Sequence, residues 1–325
     1  MAVMNRRTYM GIGIVWALAG SSVWAQGYPS KPIKLLVPFA PGGTTDIIAR
    51  VIAEPMSREL GQSVIVENKG GGGGVIGAQE TARSKPDGYS LGIATVSTMA
   101  TNPAINPKLA YNALTDFTAI VNVAATPNVL VVNPKFGPTD YPGFEAKVKA
   151  SQGQFSYASS GTGGIQHMLM ELYKNLTNTF ITHIPYRGAG PALNDTVAGQ
   201  VPMMLDNLPS ALAFIKDRRL LPIAVTAPER LAVLPDVPTF KEVGLEPVNR
   251  MAFYGIIGPK GMPKDIVDRL NAAVRKALQD PAVRKRIEDT GSLIVANSPE
   301  EFAQQLKAEY ETYRKVVVEQ KLALD

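Results

Sequence analysis

Short apolar, β-branched runs recur along this chain and alternate with stretches whose apolar positions repeat every three or four residues. The runs at 33–39, 63–67, 90–95, 128–133, 155–159, 181–186, 203–206, 222–226 and 253–258 predict strands. Helical periodicity fills 45–60, 76–84 and 164–177, and in the last of these Ile165, Met168, Leu169, Leu172 and Leu176 share one face. Strand–helix alternation of this kind predicts an α/β protein with right-handed crossovers. The C-terminal quarter is mostly helical. Ile266, Leu270, Val274 and Leu278 form one stripe, and Ser298, Pro299 and Glu301 read as N-cap, first helical position and capping box. Pro55 is a misfit in the first amphipathic helix and predicts a kink or an end there.

The 325 residues suffice for two lobes, and 45% hydrophobic content describes a soluble globular protein. With no cysteine, the chain has no disulfide, no thiolate metal site, no thiol nucleophile and no residue to carry a lipoprotein's lipid. Arg6 and Arg7 precede a short apolar run, and Val23 and Ala25 are the small residues a signal peptidase reads. Residues 1–25 are therefore expected to be a cleaved leader. The paired arginines also suit the twin-arginine route, with ordinary secretion favoured. Cleavage removes two arginines and no acid, so the net charge falls from +5 to +3. That balance supplies no basic stripe for nucleic acid.

Three strand–glycine–helix turns carry the candidate chemistry. In "VPFAPGGTTDII", Gly42 and Gly43 permit close backbone approach, and Thr44, Thr45 and Asp46 open a helix whose free N–H groups attract an anion. The lysine of a nucleotide loop is missing, and a plain capped turn fits the spacing equally well. A second turn carries glycines at 70–74, including Gly73 and Gly74, followed by Val75. A third, "YASSGTGGIQH", offers the hydroxyls of Ser159, Ser160 and Thr162 around Gly161. Arg187 follows a strand beside glycines and suits a carboxylate. Asp206 either meets a ligand or caps the next helix. Catalysis has weak support. His167 and His183 lack metal spacing, and a Ser160–His167 pair is the one conceivable nucleophile and base.

Taken in order, "YPSKPIKLLVPFAPGGTTDIIAR", "GQSVIVENKGGGGGVIGA", "KPDGYSLGIAT", "YASSGTGGIQH", "PYRGAGPALNDTVAGQV" and "AVTAPERLAVLPDVPTFKEVGL" resemble the extracytoplasmic solute receptors of tripartite tricarboxylate transporters, the Bug receptors. The resemblance covers essentially the whole chain after the leader. It implies a type II periplasmic-binding-protein fold, with 26–129 and 253–325 as one α/β lobe, 130–252 as the other, crossing strands between them and the ligand in the cleft. It implies no cofactor and no metal. It implies a monomer that takes up a small organic carboxylate (a di- or tricarboxylate, or an aromatic acid) and hands it to membrane permease subunits. Carried over by motif, the ligand contacts are Phe39, Gly42, Gly43, Asp46, Ser159, Ser160, Gly161 and Thr162, with Arg187 and Asp206 at less certain positions. A receptor presenting its ligand to a sensor kinase, and an exported serine hydrolase, are the alternative readings.

The chain departs from the family pattern at Val75, where an asparagine is usual. If Gly73, Gly74 and Val75 meet the distal part of the ligand, an isopropyl group there favours acids with an apolar body. The leader yields the first testable expectation. N-terminal sequencing of the exported protein, recovered from periplasm without detergent, should begin at Gln26; a start at Met1 or Met4 refutes it.

Overall fold

In the computed structural model, residues 27–322 are described; the expected leader at 1–25 lies outside the described residues. Strand β1 (Ile33–Val37) runs through the first glycine turn into α1 (Thr44–Leu60), and β2 (Val64–Asn68) runs through the second into α2 (Val75–Ala82). Then come β3 (Ser90–Thr95), a π-helical turn at Ser97–Thr101, α3 (Asn102–Ile105) and β4 (Phe117–Thr126). Beyond Pro127 lie β5 (Asn128–Val132), α4 (Tyr141–Ala150), β6 (Ser156–Ser159), α5 (Ile165–Thr177), β7 (Thr182–Pro185), α6 (Ala189–Ala198), β8 (Met203–Asn207), α7 (Leu208–Lys216) and β9 (Leu221–Thr226). An irregular stretch, 227–251, leads back to β10 (Ala252–Pro259), followed by α8 (Lys264–Ala277), α9 (Pro281–Glu288), β11 (Leu293–Ile294) and α10 (Pro299–Glu319).

The strands form two sheets, ordered β11-β4-β10-β3-β1-β2 and β7-β6-β8-β5-β9. In the first, β1 is parallel to β2 and β3, while β10 is antiparallel to β3 and β4. In the second, β6 is parallel to β7 and β8, while β5 is antiparallel to β8 and β9. Each sheet therefore carries βαβ units whose glycine turns sit at the carboxyl ends of parallel strands, where open α/β sheets place ligands. The chain changes sheet at Pro127 and again between β9 and β10. An expected lobe change between 129 and 130 thus falls inside β5, because Asn128 and Val129 already pair with β8 and β9.

Several local expectations change on contact with the packing. Pro55 does not end α1, which continues to Leu60 with Pro55 buried in it. Leu176 is 40% exposed, although Ile165, Met168, Leu169 and Leu172 of the same stripe are buried. The capping box forms as read: Glu301 N–H donates to Ser298 Oγ, and Ser298 N–H donates to a Glu301 carboxylate oxygen. Strand β4 escapes the pattern because Asn122 interrupts its apolar run. That residue is buried, and its amide donates to Gln305 on α10.

One buried side chain ties the two crossings together. The Asn128 amide nitrogen donates to the Arg250 carbonyl at 2.8 Å and to Thr226 Oγ1 at 3.0 Å, and its oxygen accepts from Asn207 Nδ2 at 2.6 Å. Asn128 opens the outward strand and Arg250 closes the return segment, so this one amide holds the hinge. Removing it strands the Arg250 carbonyl and the Asn207 amide. Urea unfolding of Asn128→Ala should show a loss of about 2–3 kcal/mol; a loss below about 0.5 kcal/mol would mean that water replaces both bonds.

Candidate functional site

A small cavity lies between the lobes, lined by Phe39, Gly43, Thr44, Thr45, Thr95, Val96, Ser97, Ser160, Ile165, Gln166, Ala189, Asn207, Ala252 and Tyr254. None of these side chains carries a formal charge. Its polar lining comes from helix starts. Gly43 is the N-cap of α1, Gly164 of α5, Gly188 of α6 and Asn207 of α7, and none caps its own helix with a side-chain hydrogen bond. The starts of α1, α5 and α6 bring first-turn N–H groups and partial positive charge to the cavity wall, with Ile165 N–H already given to Ser97 Oγ. The start of α7 has none to offer: Leu208 N–H donates to the Pro127 carbonyl, Pro209 has no N–H and Ser210 N–H donates to Thr44 Oγ1. The cavity measures about 20 Å³, room for roughly one water, so the lobes must part to admit any larger solute.

Closure is achieved backbone to backbone. A Cβ added to Gly73 would lie 2.3 Å from the Thr162 carbonyl oxygen, and one on Gly161 would lie 2.7 Å from the Gly73 nitrogen. Gly73 has φ of 61° in the middle of the tight turn at Gly72–Gly74. Gly74 is equally confined, since a Cβ there would meet Thr98 and the Phe39 ring below 3.0 Å. Hydrogen bonds cross the seam beside these contacts. Ala40 N–H donates to the Arg187 carbonyl at 3.1 Å, Ile165 N–H to Ser97 Oγ at 3.0 Å, and Thr101 Oγ1 to the Gly163 carbonyl at 2.7 Å. Thr44 and Ser210 share a hydroxyl contact at 2.8 Å, and Tyr254 donates to Asn207 Oδ1 at 2.7 Å.

Of the residues singled out from sequence, Phe39, Gly43 and Ser160 line the cavity. Gly73, Gly161, Thr162 and Arg187 instead border an outer depression along the seam. Arg187 contributes its carbonyl to closure while its side chain stays exposed at the rim. Asp46 turns its carboxylate onto its own surroundings, accepting from Gly42 N–H, Arg50 Nε and Asn68 Nδ2. Burial pushes its pKa up, but those donors outweigh burial and hold it below the usual carboxylate range. It braces the turn that shapes Gly42. Val75 packs partly buried against the hydrophobic core and is not among the residues that line this cavity, so the lining gives the selectivity argument built on it no support. Asp206 neither lines the cavity nor caps α7, whose N-cap is Asn207. It is fully buried and accepts from Ser210 Oγ. Thr44, Thr45, Gln166, Asn207 and Tyr254 were not singled out as ligand contacts. Thr44 and Thr45 follow a recognised turn, but the return of β10 that brings Tyr254 alongside them leaves no local sequence signal.

A family model described as the tripartite tricarboxylate transporter family receptor matches residues 48–322. The chain belongs to that family. Three solved structures are similar over nearly the whole chain. A periplasmic transporter is 49% identical, with a TM-score of 0.90, covering 92% of this chain and 100% of its own. MatC from Rhodopseudomonas palustris with bound malate is 34% identical, with a TM-score of 0.86, covering 89% and 100%. An R. palustris protein with adipate is 31% identical, with a TM-score of 0.87, covering 91% and 99%.

This family receptor is a solute-binding protein rather than an enzyme, and its serines and histidines agree. Ser160 Oγ donates to Gln166 Oε1 at 2.7 Å, and His167 Nδ1 accepts from Gly163 N–H at 3.0 Å, so the Ser160–His167 pair required for hydrolysis does not form. The other histidine supports the same loop. Ser159 Oγ lies 2.6 Å from His183 Nε2 and accepts from Gly161 N–H. Burial, with His167 and Lys174 nearby, pushes the His183 pKa down to about 3, so the ring beside the serine hydroxyl is neutral. Two stacked imidazoles, 3.9 Å apart, thereby hold the loop that the seam and cavity use.

The seam makes Gly73 and Gly43 separable in experiment. Gly73→Ala places a methyl against the Thr162 carbonyl and should keep the lobes apart, seen as a larger radius of gyration in X-ray scattering. Gly43→Leu, whose Cβ would sit 3.0 Å from Ala189 Cβ, should abolish ligand heat in calorimetry with a native circular dichroism spectrum. Wild-type behaviour in both would show the loops to be only turns.

Proposed function

We propose that this receptor works in the periplasm, captures a small organic dicarboxylate between its lobes and delivers it to the membrane subunits of a tripartite transporter. The observation that carries the reading is that the starts of α1, α5 and α6, none capped by its own N-cap side chain, meet at one uncharged cavity. First-turn N–H groups and hydroxyls can satisfy a carboxylate without a cationic side chain. The malate and adipate held by similar structures support a dicarboxylate. Residues 26–129 with 253–325 act as one lobe and 130–252 as the other, give or take the crossing at Pro127. One carboxylate meets the N–H groups of Thr44 and Thr45 and the Ser160 loop as the lobes close. The rest of the ligand points toward the outer depression, where Arg187 receives a second carboxylate. Gly42, Asp46, Ser159, Gly161, Thr162, Gly73 and Gly74 shape the walls. The receptor acts as a monomer and without a cofactor.

A thermal-shift screen over malate, adipate, citrate, benzoate and arginine tests this. A ligand bound only by the native state, present at a hundred times its Kd, adds about 2.7 kcal/mol of stability. A dicarboxylate should raise the melting temperature most and arginine not at all. No shift with any acid sinks the proposal, and a larger shift with benzoate than with both dicarboxylates removes Arg187 from it.

A further inference from the structure

Asp206 is the one site residue whose chemistry the binding reading leaves unused. It is 0% exposed on β8, and its Oδ1 has no hydrogen-bond partner among the described residues. Its Oδ2 lies 2.6 Å from Ser210 Oγ, and Ser210 Oγ lies 2.8 Å from Thr44 Oγ1. Thr44 Oγ1 also accepts from Ser210 N–H at 3.2 Å, and Thr44 lines the cavity. A chain of hydroxyls thus runs from a buried acid in one lobe to the ligand site on the other. We propose that the receptor takes up a proton on Asp206 together with its carboxylate ligand, and that this proton turns the Thr44 hydroxyl toward the ligand.

The argument is one of hydrogen counting. A hydroxyl has one hydrogen to give and two lone pairs to receive with. When Asp206 is ionised it can only accept, and Ser210 gives its hydrogen to the charged Oδ2 at 2.6 Å in preference to the Asn207 carbonyl at 3.0 Å. At 2.8 Å the Thr44 and Ser210 oxygens need a hydrogen between them, and only Thr44 can then supply it. The cavity is left facing a Thr44 lone pair, which repels a carboxylate. When Asp206 is protonated its O–H donates to Ser210, whose own hydrogen is released to the Asn207 carbonyl, 3.0 Å away, or to Thr44. An arriving carboxylate selects the second arrangement, in which the Thr44 hydrogen is free for the ligand. No bond other than that to the proton changes. This rests on the reading that the cavity receives a carboxylate.

The surroundings favour the same linkage. The groups facing Asp206 are Val129 on β5, the Asn207 backbone, Ser210 on α7 and Tyr254 on β10, with Thr44 on α1 reached through Ser210. Tyr254 is the titratable one among them, and burial holds its phenol neutral, well above its ordinary pKa. With no cation beside it, an ionised Asp206 and a ligand carboxylate would be like charges sharing a buried region. Burial, opposed by the Ser210 and Asn207 hydrogen bonds, already pushes Asp206 up to about 7. An arriving anion raises it further. Affinity is therefore full below the free receptor's pKa and is lost as pH rises through it.

Calorimetry with malate and with adipate, at pH values where both acids are fully ionised, tests the linkage in two buffers of different ionisation heat. The expected result is proton uptake on binding near neutral pH and an affinity that weakens by up to about tenfold per pH unit above it. Asp206→Asn keeps a donor to Ser210 at every pH and should flatten the profile. Ser210→Ala cuts the chain but leaves Asp206 coupled to the ligand's charge, so it should bind more weakly while still taking up a proton, and it carries the test if the first variant does not fold. Equal heats in both buffers, an unchanged profile in folded Asp206→Asn, or wild-type affinity in folded Ser210→Ala overturns the proposal. Binding without proton uptake fells only this inference; no binding of any acid fells the proposed function with it.

Discussion

Everything about this cleft depends on two glycines meeting across it. The Gly73 and Gly161 backbones lie so close that either Cβ would fall within 3.0 Å of the other loop. No side chain intervenes, so the lobes are held in register by main-chain atoms, whose positions are set by the strands before them and the helices after them. Rigid sheets and short turns thereby determine the width of the cavity. The hydroxyl and amide contacts at Thr44, Ser97, Thr101 and Tyr254 form only because the seam has already brought the lobes to that spacing.

The absence of charge from the cavity lining follows from the same geometry. A lysine or arginine between the lobes would need space that the seam does not leave, and would lose hydration without a fixed partner until ligand arrived. Helix starts avoid both costs. Their N–H groups are part of the walls, already oriented, and they carry no side-chain entropy to lose. Charged groups serve instead at the periphery: Arg50 and Asp46 brace the first turn, and Arg187 stands at the rim.

Much of this architecture was legible in the sequence, because it is built from local signals. Glycines after apolar strands marked all three turns, and the capping box at Ser298 and Glu301 formed as read. What escaped was set by packing between distant segments. Asn122 hid β4 by placing an amide in an apolar run, and that amide makes sense only beside Gln305. Pro55 suggested a break that the buried environment of α1 overrides. Val75 was aimed at the ligand by its position after the glycines, yet the tight turn at Gly72–Gly74 rotates it onto the core. Asp206 looked like a cap or a ligand contact, and only the approach of α1 and β10 reveals a buried acid at the end of a hydroxyl chain.

The last long helix has a part in this that its distance from the cleft conceals. α10 packs on β4, α3 and the π-helical turn at Ser97–Thr101, the turn whose Ser97 and Thr101 hydroxyls reach across to the other lobe. Tyr254 likewise arrives on β10, after the whole of the second sheet has been threaded. A chain made from its N-terminus therefore carries the glycine turns of the proposed anion site long before the first-lobe side of it is held in place. Competence to bind comes last, when the C-terminal end docks, and a truncated chain has the glycine loops without the support that makes them a site.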